Sequence, residues 1–124
     1  MVANLLVVDD DTTIRQLLRH RFEAAGHAVR TREDGQEAAD LLSTGYEPDA
    51  LVVDVMMPRL NGTRLVRMLR NGELNASSDL PVIMLTSRGR EEHVLEGFDA
   101  GVDDYISKPF RSAELLARVQ RHLQ

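Results

Sequence analysis

The chain contains no cysteine, which excludes disulfide staples, thiolate zinc sites and thiol nucleophiles and is compatible with a reducing compartment. It also lacks any long apolar run. The start MVANLLVVDDD meets acidic residues after only LLVV (5–8), too short for a signal-peptide core, and nothing approaches the ~20 residues that span a bilayer. A soluble, cytoplasmic domain covering 1–124, with no membrane association, is expected. Excess positive charge is missing too: the net charge is -5 and the arginines are scattered among acids. Attraction to a nucleic-acid backbone would be weak, so no direct contact of that kind is expected. Lysine is nearly absent as well, because Lys108 is the one lysine among fifteen lysine and arginine residues. Either this is coincidence, or position 108 needs a compact point charge that meets one phosphoryl or carboxylate oxygen where a planar guanidinium would not fit. What is present is ordinary globular composition, 43% hydrophobic and 28% charged, in a chain of 124 residues, long enough to bury a core.

Five short apolar runs alternate with helical patterns: LLVV (5–8), HAV (27–29), ALVV (50–53), PVIML (81–85) and DYIS (104–107). Between them Ile14, Leu17, Leu18, Phe22 and Ala25 recur at helical spacing, as do Ala38, Ala39, Leu41 and Leu42, then Leu65, Val66, Met68 and Leu69. A fourth pattern holds Val94, Leu95 and Phe98 before Gly101. A fifth holds Leu115, Leu116, Val119 and Leu123 after Ser112, which reads as its N-cap. Strict alternation of strand and helix predicts a parallel sheet covered on both faces. NGELNASSDLP (71–81) reads as a loose surface loop, and there is no repeat, low-complexity tract or linker.

In an open parallel sheet, ligands bind outside the carboxyl ends of the strands, near the point where strand order reverses. Here the first run ends in Asp9, Asp10 and Asp11, the third in Asp54, the fourth in Thr86 and Ser87, and the fifth leads to Lys108. Singly, each has a plain explanation: Asp11 or Thr12 as a helix cap, Thr86 as a strand-end residue, Lys108 as a solvated charge. Together they form a constellation. Crowded carboxylates push one another toward protonation unless a cation sits among them, and Mg²⁺ suits one or two carboxylates with phosphate and water oxygens. Pro109 follows Lys108, and an X-Pro bond admits the cis form at a cost of about 0.5–1 kcal/mol, a geometry that would aim the lysine inward.

Four segments in this order, LLVVDDD (5–11), LVVDVMMPRLNG (51–62), VIMLTSRG (82–89) and GVDDYISKPF (101–110), resemble the receiver domains of two-component response regulators. The resemblance covers essentially the whole chain. It implies an α/β fold, the flavodoxin-like doubly wound (βα)5 with a five-stranded parallel sheet of order 2-1-3-4-5. It also implies that Asp54 accepts a phosphoryl group from the phosphohistidine of a sensor histidine kinase or phosphotransfer protein. Asp9, Asp10, Asp54 and the backbone carbonyl of Met56 would hold Mg²⁺, and Thr86 and Lys108 would bind the phosphoryl oxygens. Such a domain catalyses its own phosphorylation and slow dephosphorylation but is primarily a signalling module. Met56 and Arg88 would flank the water path as modulators, or merely fill surface. Thr86 and Tyr105 would form the switch, although Tyr105 also reads as an ordinary half-buried strand tyrosine. The face of the fourth helix, fifth strand and fifth helix, with Leu95, Phe98, Asp103, Asp104, Glu114 and Arg118, would be the docking surface. ELLARV (114–119) after KPF resembles receivers that dimerise there ahead of a winged-helix DNA-binding domain. Val94 stands where a basic partner for Glu114 is expected, so any phosphorylation-induced homodimer should be weak. The end at Gln124 fits either a stand-alone regulator or an excised receiver.

Two other classes compete. Asp9, Asp11 and Thr13 satisfy the D-x-D-x-T pattern of haloacid-dehalogenase-type phosphatases, with Asp9 as nucleophile and Thr86 as a second motif. That reading leaves Asp54 idle, leaves no room for a flap before Ile14, and has Lys108 following Asp103 and Asp104 instead of preceding them. A flavin-binding flavodoxin-like module would need a phosphate-cradling loop after the first strand, where three acids stand instead.

Overall fold

The computed structural model describes residues 2–87 and 98–123. Five strands form one wholly parallel sheet: β1 (Asn4–Val8), β2 (Ala28–Arg32), β3 (Ala50–Asp54), β4 (Val82–Ser87) and β5 (Asp104–Lys108). Their order is β2-β1-β3-β4-β5, as expected. The helices are α1 (Thr12–Ala24), α2 (Gly35–Leu42) and α3 (Gly62–Arg70), then the helical residues 98–100, labelled α4, and α5 (Ser112–His122). Arg88, Val94 and Leu95 lie outside the described residues.

The central strands are apolar without a break because both faces of the sheet are covered. Successive residues of β1 therefore enter different cores. Leu6 and Val8 join Leu51, Val53, Val82 and Met84 beneath α2 and α3. Leu5 and Val7 join Val52, Ile83 and Leu85 beneath α1 and α5. That two-residue period fixes register, since a slip of one residue would exchange the two cores.

Side-chain caps start three of the helices. Asp11 accepts the backbone N–H groups of Thr13 and Ile14, Asp34 that of Glu37, and Asn61 that of Arg64. In α5 the expected cap moves: Ser112 is already the first helical residue, and Arg111 holds the extended cap position with no side-chain bond. A capping residue must itself lie outside helical geometry, which Ser112 does not. Two other expectations also change. Leu17, placed on the apolar stripe of α1, is 46% exposed, and the segment 71–81 is anchored rather than loose. Leu74 and Leu80 are buried in the core, and the Arg70 guanidinium donates to the carbonyls of Ser78 (2.8 Å) and Leu80 (2.6 Å).

Candidate functional site

The chain runs from β1 outward to β2 and returns across the sheet to β3, so strand order reverses between β1 and β3. The carboxyl ends of these two strands carry Asp9 and Asp54 into the crevice that such a reversal creates. Lys108, the last residue of β5, closes the group: its Nζ lies 3.0 Å from Asp9 Oδ2 and 3.3 Å from Asp54 Oδ2. The Lys108–Pro109 peptide is cis. Carboxylate oxygens of Asp9, Asp10 and Asp54 all lie within 4.8 Å of one another, with Asp10 on the exposed side.

Three carboxylates around one ammonium leave a surplus of negative charge in a buried place. Burial pushes the Asp54 carboxyl up to about 6, the charge of Asp9 adds to the rise, and Lys108 opposes it. Asp9 is also raised, chiefly by burial, against the N–H of Asp11 and the ammonium of Lys108. For Lys108 burial works against the charge, but the close ion pair with Asp9 and the attraction of Asp54 leave its pKa raised. Asp9 is fully buried, and its Oδ1 accepts the N–H of Asp11 at 2.9 Å. Its Oδ2 has Lys108 within ion-pair distance but no donor in hydrogen-bonding alignment. A buried carboxylate oxygen of that kind calls for a cation.

The loop after β3 is held at several points. Gly62 donates its N–H to the carbonyl of Val55 at 2.9 Å, and a Cβ there would fall 2.2 Å from the carbonyl oxygen of Asp54. Only glycine permits that approach. At Gly35, on α2, a Cβ would meet the carbonyl oxygen of Leu60 at 1.9 Å. Arg59 takes a positive φ of 69° and reaches Asp34 Oδ2 at 3.3 Å. Arg15 of α1 donates to the carbonyl of Asp9 at 2.7 Å. Sequence reasoning missed Gly35, Gly62 and Arg15 as positioning residues. The glycines stood at helix starts and so left a signal, whereas Arg15 looked like any other helix-surface cation.

Thr86 is buried in β4, one residue beyond Leu85, which pairs with Asp54, and its neighbour Ser87 pairs with Lys108. The Thr86 hydroxyl donates to the carbonyl of Ser87 at 3.5 Å, the outer limit of a hydrogen bond. Tyr105 of β5 is half-buried, and Phe98 meets its ring edge-on with centroids 4.8 Å apart. Met56 is exposed beside Asp54, and Phe98 is 53% exposed.

Of the charged residues expected on the docking surface, Asp104, Glu114 and Arg118 are engaged with one another. Arg118 bonds Asp104 (3.0 Å), the carbonyl of Tyr105 (2.8 Å) and Glu114 (3.1 Å). Asp104 lies 3.2 Å from His122. Burial alone would raise its carboxyl, but the bonds from His122 and the Tyr105 N–H, with Arg118, hold it below the ordinary value. Asp103 accepts from Arg70 (2.9 Å) and from the N–H of Val82 (2.8 Å).

The alternative nucleophile pattern does not fit this geometry. Asp11 is the exposed cap of α1, its Oδ1 occupied by two backbone N–H groups, and the helix begins at Thr12 with no intervening flap.

The model of the response regulator receiver domain matches residues 5–120. Response regulator MprA of Mycolicibacterium vanbaalenii is 44% identical over 124 residues, which are 100% of this chain and 52% of that protein. The chain thus spans about half the length of the curated relatives it matches. A response regulator from Chloroflexus aurantiacus superposes with a TM-score of 0.89 at 37% identity, covering 99% of this chain and 98% of the other. The receiver domain of a sensor histidine kinase from Pseudomonas aeruginosa, described with a magnesium ion coordinated in its active-site cleft, superposes at 0.87 with 27% identity, over 99% and 98% of the two chains. Together with the strand order and the acidic crevice, these likenesses settle the family: the chain belongs to the receiver domains of two-component response regulators, modules for phosphorylation-dependent signalling.

Proposed function

We propose that Asp54 is the phosphoacceptor, taking a phosphoryl group from the phosphohistidine of a sensor histidine kinase or phosphotransfer protein. One observation carries the reading: Asp54 is 6% exposed at the reversal point of the sheet, with Lys108 at 3.3 Å and two further carboxylates beside it. The donor set fits Mg²⁺, because oxygens of one octahedral shell lie up to about 4.2 Å apart and small rotamer shifts would bring these carboxylates to that spacing. Asp9, Asp10 and Asp54 with the Met56 carbonyl are the residues that would hold it. When bound, Mg²⁺ supplies charge neutralisation on the phosphoryl oxygens and keeps the Asp54 carboxylate ionised.

The chain's own residues do the rest. The Asp54 oxygen attacks phosphorus in line with the departing imidazole, and Lys108 stabilises charge on the transferred group. Thr86 stands one β4 residue beyond the partner of Asp54, placed to bind a phosphoryl oxygen by moving its hydroxyl from the long contact with Ser87. That motion shifts Tyr105 and the α4, β5 and α5 face toward partner binding. Water approaching past Met56 later hydrolyses the acyl phosphate slowly. An apolar groove of about 380 Å³, lined by Ile14, Leu17, Pro109 and Phe110 and reaching Ser87 and Lys108, gives a protein donor a surface on the Lys108 side of the site.

The test is intact-mass analysis after incubation with acetyl phosphate and Mg²⁺. One phosphoryl group is expected on the parent chain, none on Asp54→Asn, and fewer on Asp9→Asn. Label that survives in Asp54→Asn but vanishes in Asp9→Asn would move the nucleophile to Asp9 and overturn the proposal.

A further inference from the structure

With no cysteine, the sulfur chemistry of this chain rests on its methionines. Among the described ones, Met84 is fully buried and Met57 and Met68 pack against the core, whereas Met56 is 56% exposed. Met56 is not among the residues packed against either apolar cluster of the described structure. Met56 follows Val55, whose backbone donates to the carbonyl of Leu85 and accepts from Gly62. The Met56 side chain is therefore free to change chemically without loss of packing, two residues from the phosphoacceptor.

We propose that Met56 is a site of reversible oxidation to the sulfoxide, and that this modification shortens the life of the phosphorylated state. The proposal rests on Asp54 being the phosphoacceptor. The oxidant class is hydrogen peroxide: the thioether sulfur attacks one peroxide oxygen, the O–O bond breaks as an S–O bond forms, and the displaced hydroxide takes the proton from the new S–OH group and leaves as water. Sulfur loses two electrons and the peroxide gains them. A thiol-dependent methionine sulfoxide reductase reverses the change.

The consequence follows from polarity. A thioether is a weak acceptor that sheds water, whereas a sulfoxide oxygen is a strong acceptor that holds it. Two residues beyond Asp54, on the loop that leaves β3, it brings water to the line along which an acyl phosphate on Asp54 is hydrolysed.

The protein is treated with dilute hydrogen peroxide, digested and mapped by mass spectrometry. A portion is phosphorylated with acetyl phosphate and Mg²⁺ and its decay followed after removal of the donor. Oxygen should appear at Met56 before Met57, Met68 or Met84, and decay should quicken by about threefold or more, a small change in barrier. Sulfoxide reductase should restore the original rate. In Met56→Leu, the decay rate should be the same before and after peroxide, whatever its starting value. Oxidation of Met57 or Met68 ahead of Met56 overturns the proposal, as does oxidation at Met56 with an unchanged decay rate. Failure of the untreated chain to become phosphorylated at Asp54 overturns the functional reading and this inference with it.

Discussion

The Asp54 carboxyl offers a direct test of how the crevice is balanced. A carboxyl raised from 3.8 to about 6 has an ionised form that costs roughly 3 kcal/mol more to bury than its neutral form. Asp54→Asn removes that charge at nearly constant shape. Lys108 keeps Asp9 at 3.0 Å as its counter-charge, so the ammonium is not stranded. Some attraction from Lys108 is lost, so the variant should be more stable than the parent by about 1–3 kcal/mol at pH 7.5 without divalent cations. With a urea slope of roughly 2 kcal/mol per molar, the midpoint rises by about 0.5–1.5 M. The pH dependence follows from the direction of the shift. The folded parent keeps the Asp54 proton to higher pH than the unfolded chain does. Its stability relative to the variant is therefore highest below about 3.8 and is lost as pH rises to about 6, after which the gap is constant. The difference between the two chains should consequently shrink toward pH 4. Millimolar Mg²⁺ should narrow it at pH 7.5, because the cation binds the folded parent more tightly. Equal midpoints at pH 7.5 in EDTA, or a gap as large at pH 4 as at pH 7.5, would refute this account of the crevice.

Three further outcomes are expected. Lys108→Arg should impair switching despite its conserved charge, because a planar fork cannot replace one point contact shared by Asp9 and Asp54; beryllofluoride-induced NMR shifts at Tyr105 as large as the parent's would contradict it. Arg70→Ala should cost about 2–3 kcal/mol in urea unfolding and open 71–81 to proteolysis, since the guanidinium bonds Gly101, Ser78, Leu80 and Asp103. Activation by beryllofluoride and Mg²⁺ should strengthen a weak self-association, micromolar or looser at roughly -8 kcal/mol, that Phe98→Asp removes; unchanged sedimentation of the activated parent at high concentration would assign the face to another partner.

The fold was legible because burial on both faces writes its own pattern. LLVV and ALVV are too apolar for edge strands, and helices of the right length separate them. The placement of Asp9, Asp54, Thr86 and Lys108 was legible for the same reason: in a parallel sheet all strand ends of one kind lie on one edge. Contacts made across the fold were not legible. Arg70 has no local feature that marks it as the hub for two loops, because its partners lie eight to thirty-three residues away. The segment 71–81 has the composition of a loop, yet Leu74 and Leu80 bury themselves against a core assembled from distant strands. Leu17 has helical spacing but stands beside the groove at Lys108, where neighbouring elements leave it open. Spacing reports which face a residue shares, not what covers that face.

The same distinction bears on the proposed docking face. Read from the sequence, Asp103, Asp104, Glu114 and Arg118 looked like charges awaiting a partner. In the structure Arg118 already bonds Asp104 and Glu114, Asp104 also meets His122, and Asp103 is tied to Arg70 and to the backbone of β4. An ion pair formed across an interface here would have to replace one made within the chain. Exposed pairs contribute about 0–1 kcal/mol each, so such an exchange is close to neutral. The charges can therefore set orientation and reject wrong partners, but they supply little affinity. Affinity must come from apolar surface, and of the described residues Phe98 presents the most on that side. Its ring rests on Tyr105, and Tyr105 pairs in the sheet with Met84, two residues before Thr86 on β4. A change in the seat of Tyr105 therefore alters how Phe98 is presented before it alters any ion pair. On the proposed reading, phosphorylation regulates the small apolar centre of this face and leaves its charged rim largely as it stands.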